Sequence, residues 1–159
     1  MRTRDTRGDE VIDSRDIIKR FDDLSDDLYT LQEAIKEAQE TLDELDQNDA
    51  DTREQWEAAR DAVKEAEAAL DDWDDRDEWQ ALKDLINEAE GYGDWAYGET
   101  LIADSYFSTY AQQLAEDIGA IDPNARWPMK CIDWEQAAEE LKEDYTTVEF
   151  DRKTYWIRS

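Results

Sequence analysis

The feature that most constrains this chain is an apolar ladder. Ile17, Phe21, Leu24, Leu28, Leu31, Ile35, Ala38, Leu42 and Leu45 follow one another at alternating steps of four and three residues. That spacing returns an apolar side chain to one helix face at every turn and is the seam of a coiled coil. A second ladder follows a short polar break: Trp56, Ala59, Val63, Ala66, Leu70 and Trp73. So short a break makes the two helices antiparallel neighbours. The first seam offers large side chains and the second offers Ala, so bulk can fill gaps. Asp13 or Ser14 can cap the first helix, Asp51 with Glu54 resembles a capping box for the second, and Asn48 can end the first in a left-handed conformation.

The remainder is read around this hairpin. Residues 1–12 are polar, mixed in charge and without period, and are expected to form a flexible tail. The acidic hairpin and a short third helix, from about Asp77 to Glu90 with Trp79, Leu82, Ile86 and Ala89 on one face, occupy 13–90. Gly91-Tyr92-Gly93-Asp94 interrupts the pattern, and residues 91–159 are expected to form a small α+β module. In it Tyr106, Tyr110, Leu114 and Ile118 share a helical face that Gly119 stops. Asp133, with Gln136 completing a capping box, starts a helix from Trp134. Thr146 to Phe150 and Thr154 to Ile157 read as a β-hairpin turned by Asp151-Arg152-Lys153, with Met129 to Ile132 as a candidate third strand. The fold class is therefore mainly α: an N-terminal antiparallel coiled-coil hairpin plus a small C-terminal α+β module with a β-hairpin.

Composition narrows the chemistry. Seven Trp, seven Tyr and three Phe are ample for a core, so high charge does not by itself imply disorder. The chain has no His and one Cys, Cys131. Within one chain this excludes zinc sites, Ser-His triads and Cys-His dyads, and leaves only carboxylate chemistry. Carboxylate pairs such as Glu116–Asp117 or Glu139–Glu140 arise by chance in so acidic a chain, and no catalytic residue, metal or cofactor is expected. The run Asp71 to Glu78 lacks the turn-forming Gly of a calcium loop and is broken by Trp73 and Arg76. One cysteine, no apolar N-terminal run and no apolar stretch of membrane-spanning length suggest a cytosolic, soluble protein.

The charge points further. Asp and Glu number 45 against 18 Lys and Arg, a net of −27. Residues 13–90 hold 28 acids and 9 bases, leaving −19; residues 91–159 hold 14 and 6, leaving −8. Spread over roughly 50 Å of helix, the hairpin's charge is about one per 2.7 Å, against about one per 1.7 Å of B-DNA. Such a field repels nucleic acid and anionic membranes and attracts basic surfaces. Like charges on neighbouring helix turns cost stability, so a sequence shaped for stability alone would interleave more Lys. The candidate partner-binding, phosphate-mimicking residues are Asp22, Asp23, Asp26, Asp27, Glu33, Glu37, Glu40, Asp43 and Glu44 on the first helix. On the second they are Glu54, Glu57, Asp61, Glu65, Asp71 and Asp72. The aromatic residues Tyr92, Trp95, Tyr97, Tyr106, Phe107, Tyr110, Trp127 and Trp134 lack the basic groove that a base-stacking platform needs, and are assigned to core and domain contacts.

Tyr110-Ala111-Gln112-Gln113-Leu114-Ala115-Glu116-Asp117-Ile118-Gly119-Ala120, then Pro128, then Cys131-Ile132-Asp133-Trp134-Glu135-Gln136-Ala137-Ala138-Glu139-Glu140-Leu141 and a terminal hairpin, resemble the C-terminal part of the ArdA antirestriction family of phages and mobile elements. The likeness covers about a third of the chain, Tyr106 to Arg158. It implies DNA mimicry: family members are acidic, elongated, usually dimeric proteins that occupy the DNA groove of type I restriction–modification enzymes. In the first hundred residues a helical hairpin stands where the family has earlier α/β domains. The expected function is thus a non-enzymatic inhibitor that occupies the DNA-binding surface of a defence enzyme, a restriction or CRISPR-type nuclease. Its partner is a basic DNA-binding protein, with no direct nucleic acid or membrane binding, and a homodimer is possible. The alternative is a coiled-coil adaptor or dimerisation protein whose charge serves solubility only.

Overall fold

The computed structural model describes residues 2–159. Ten elements follow in order: β1 (Val11–Asp13), α1 (Ser14–Asp43), α2 (Arg53–Asp71), α3 (Arg76–Ala89), α4 (Trp95–Gly98), β2 (Thr100–Ala103), α5 (Phe107–Asp117), α6 (Trp134–Leu141), β3 (Tyr145–Phe150) and β4 (Lys153–Arg158). The protein is mainly α, with one four-stranded antiparallel sheet in the order β1-β2-β4-β3. The chain divides into two compact units. An α+β unit takes residues up to Arg20 and from Gln80 to Ser159; a helical unit takes Phe21–Trp79. The boundaries fall inside α1 and α3. No helix among the described residues is long and apolar enough to cross a membrane.

In the α+β unit, register puts Ile102 opposite Trp156 and Thr147 opposite Trp156 from the other side, so these share one sheet face. On that face Ile102 and Tyr145 join Phe107, Ala111 and Ala138 in a core flanked by Tyr106, Tyr110, Leu141 and Trp156. Phe107 is its hub, edge-on to Tyr145 at 5.3 Å and tilted against Trp156 at 5.8 Å, geometries the ring quadrupole favours. The opposite face carries Ile12, Leu101, Ala103, Val148, Phe150, Tyr155 and Ile157, all buried. Both faces being covered explains why so small a sheet is stable. The hairpin turns on Asp151 and Arg152, at φ +48° and +65°, the two left-handed residues that a two-residue turn with the strands' own twist requires.

Several sequence expectations are corrected here. Residues 2–12 are not a flexible tail; Met1 lies outside the described residues. Val11 and Ile12 pair with Ile102 and Leu101 in the sheet, Thr6 is buried, and Tyr155 Oη donates to the Asp9 carbonyl at 2.7 Å. The polar composition conceals this, because three residues are too few to show a strand period. Met129–Cys131 is a 3-10 turn and not a strand. The additional strands are β1 and β2, and β2 has burial running through Leu101, Ile102 and Ala103 instead of alternating. In α5 the buried positions are Phe107 and Ala111, whereas Ile118 lies outside the helix and is exposed. In α3 Leu85, not Ile86, is buried with Leu82 and Ala89. The cap of α2 is Thr52, which makes no side-chain cap bond, so the Asp51–Glu54 capping box does not form. Asp133 does cap α6, its Oδ1 accepting from Gln136 N at 3.2 Å. The Gln136 amide does not close the box but donates to Glu140 at 3.4 Å.

In the helical unit, chain length fixes the path. From Ser25 to the end of α1 is about 27 Å of helix, and α2 spans about 28 Å. Yet Trp79 Nε1, eight residues past the end of α2, donates to Ser25 Oγ at 2.9 Å, and its ring stacks on Phe21 at 5.8 Å. The chain can only return that far if α2 runs back along α1.

Candidate partner-binding surface

The apolar seams decide where the carboxylates point. In the helical unit Leu24, Ala59, Val63 and Glu78 are buried, while Phe21, Leu28, Leu31, Ile35, Ala38, Leu42, Trp56, Ala66, Leu70 and Trp73 are half-buried. With these positions turned inward, helical geometry sends the intervening residues outward. Asp22, Asp26, Asp27, Glu37, Glu40 and Asp43 on α1 are exposed, as are Glu54, Glu57, Asp61, Glu65 and Asp71 on α2. Glu44 lies just past α1 and Asp72 caps the end of α2, both exposed. Asp23 and Glu33 are half-buried. All fifteen candidates therefore fall in one unit, and thirteen of them face solvent.

The charge is more concentrated than the sequence boundaries suggest. Phe21–Trp79 holds 23 acids and 5 bases, leaving −18, whereas the rest holds 22 and 13, leaving −9. The part of α1 in this unit is roughly 35 Å long, so the unit presents about one net charge per 2 Å, close to the about 1.7 Å of B-DNA. The few bases are spent locally. Arg53 pairs with Glu57 at 3.5 Å, one turn on. Arg60 lies 5.4 Å over the Trp56 ring and 3.4 Å from Asp61. Arg76 donates to the Leu70 carbonyl at 2.8 Å, meeting the negative end of α2. Arg53, Trp56, Glu57 and Arg60 line a hollow of about 460 Å³ beside the inter-helix loop.

One residue escaped the periodicity. Tyr29 is 63 % exposed on α1, three residues from Asp26 and four from Glu33, so it shares their helix face. An exposed Tyr within a charged surface is the residue type that anchors protein interfaces. Its only sequence signal was its position just outside the seam.

The α+β unit has a lower net charge and several paired charges. Lys142 sits between the rings of Phe107 and Trp156, 5.5 and 4.9 Å from their centroids, and bridges Glu139 at 2.8 Å and Asp104 at 3.5 Å. Asp104 also accepts from Trp156 Nε1 at 2.8 Å, which, with Lys142 nearby, holds its carboxyl below the usual range. Asp13 is likewise lowered by the Arg15 guanidinium, 2.7 Å away. Burial pushes the Tyr110 phenol up, reinforced by its contact with the Tyr145 hydroxyl. Among the described residues, no group of three or more Cys, Asp or Glu is arranged to hold a metal ion.

Comparison with protein-family models, with curated proteins and with solved structures finds no match.

Proposed function

We propose that this protein is an acidic DNA mimic that inhibits a DNA-binding defence enzyme, a restriction or CRISPR-type nuclease, by occupying its DNA-binding surface. The observation that carries this reading is the outward array of carboxylates on α1 and α2, at a linear charge density near that of duplex DNA. The mechanism is electrostatic. Lys and Arg side chains that normally hold phosphates pair with these carboxylates, and the helical spacing sets where each charge meets its partner. No bond is made or broken and no cofactor is needed. The resemblance of Tyr106–Arg158 to ArdA proteins supports the same reading from a separate part of the chain. It suggests type I restriction–modification enzymes as the first targets to try.

The test is competition. The protein should displace duplex DNA from such an enzyme at about 50 mM salt and lose most of that ability by about 200 mM. Reversing Asp22, Asp23, Asp26 and Asp27 to Lys should weaken inhibition by about 100-fold or more, with helicity retained in circular dichroism. Absence of displacement at low salt from both enzyme types would remove the proposal. An adaptor reading rests on one observation, the half-buried run Leu28, Leu31, Ile35 and Leu42, which a further helix could cover. An adaptor would tolerate the charge reversal.

A further inference from the structure

The helical unit combines a heavy like-charge load with very little core. On α2, Glu54, Glu57, Asp61 and Glu65 succeed one another at steps of three and four residues, and on α1 Glu33, Glu37, Glu40 and Asp43 do the same; Arg53, Arg60 and Lys64 stand among the first set and Lys36 among the second, so the load is the excess of like over opposite pairs. Residues so spaced are neighbours about 5–6 Å apart, and each like pair weakens the helix. Against this, Ala59 and Val63 are the buried residues of α2, and Leu24 is the buried apolar residue of α1 within the unit. Most of a helix's stability in a protein comes from tertiary packing of its apolar face, and here that packing is thin.

We infer that the order of the helical unit is set by the cations around it: its helices open at low ionic strength and close when counter-ions or a cationic surface neutralise their carboxylates. The range of the repulsion makes this a switch within accessible conditions. At about 0.01 M salt the screening length is about 30 Å, so every like pair is felt. At about 1 M it is about 3 Å, shorter than the spacing within each pair. Across both helices like pairs outnumber opposite ones, and relieving that excess together amounts to roughly tenfold in the opening equilibrium. The α+β unit, with its packed sheet and lower net charge, depends far less on salt. The inference does not rest on the identity of any partner, because sodium ions alone supply the screening.

Hydrogen exchange followed by mass spectrometry on the full chain tests it. Peptides from α2 and the distal part of α1 should exchange roughly tenfold more slowly at about 1 M than at about 0.01 M NaCl, while β2, β3 and β4 change little. Spermidine should give the same slowing at a far lower concentration. Screening also admits hydroxide to an acidic surface and thereby speeds exchange, so slowing cannot be that trivial effect. A second variant, Glu54→Gln with Glu57→Gln, Asp61→Asn and Glu65→Gln, should protect α2 at low salt and flatten its salt dependence. Salt-independent exchange in α2, a parallel change in both units, or an unaltered salt response in the variant would each overturn the inference.

Discussion

The two units of this chain balance the same forces in opposite proportions. The α+β unit carries −9 over its residues and buries Ile12, Leu101, Ile102, Phe107, Val148, Phe150, Tyr155 and Ile157 about one sheet. The helical unit carries −18 on fewer residues and buries three apolar side chains and Glu78. In the first, charges are short-circuited locally, as in Lys142 with Asp104 and Glu139. In the second, most carboxylates face solvent with few bases nearby. Apolar burial stabilises a fold at any salt concentration, whereas like charges on one helix draw against it. The contrast teaches that the protein separates an exposed, strongly charged surface from a buried core, and that like-charge repulsion weighs on the first far more than on the second.

Core truncation should break the comparison most sharply. Tyr155→Ala removes a fully buried ring and its bond to the Asp9 carbonyl, and should cost about 3–5 kcal/mol in urea unfolding. Leu42→Ala, in the half-buried seam, should cost about 1 kcal/mol, because much of the leucine is already wet. Equal costs would mean that the helical unit has a core the burial pattern does not show. A smaller effect is expected at Lys142. Lys142→Met keeps most of the stem packing and removes the cation from two rings and two carboxylates, for a loss of about 1 kcal/mol.

The smallest effects sharpen the comparison through pH. Asp13 and Asp104 have lowered pKa values in the folded chain, so their contribution is complete above the ordinary carboxylate value of 3.8 and is lost as pH falls through the folded values. Tyr110 is raised from 10.0, so its contribution is complete below that value and is lost as pH climbs beyond it. Unfolding free energy should therefore fall at both extremes, and Tyr110→Phe should flatten the alkaline limb. All three groups lie in the α+β unit, so exchange in β3 and β4 should report both limbs.

Local patterns were legible wherever the signal was long or chemically specific. The heptad steps from Ile17 to Leu45 and from Trp56 to Trp73 located α1 and α2 to within a few residues, because a period repeated over several turns averages out exceptions. Asp133 announced α6, and the β-branched run before Asp151 announced the hairpin, because caps and turns are made by neighbouring residues. The side of α5 and α3 that faces inward was misjudged by one position at Phe107 and Leu85. A short helix carries two acceptable apolar stripes, and only the partner surface selects between them.

The sequence by itself determined the mainly helical class, the inward-facing seams and, through them, the outward direction of the candidate carboxylates. These follow from periodicity, which acts within a few turns of one helix. Tertiary structure alone decided that residues 11–13, seemingly a tail, form the edge strand of a sheet whose other members begin at Thr100. It likewise drew the unit boundary through the first quarter of α1, leaving Ile17 in the core of one unit and Leu24 in that of the other. Both depend on contacts between residues far apart in the chain, some ninety positions for β1 with β2 and 54 for Ser25 with Trp79, and no local period in a chain encodes which distant surface its apolar face will meet.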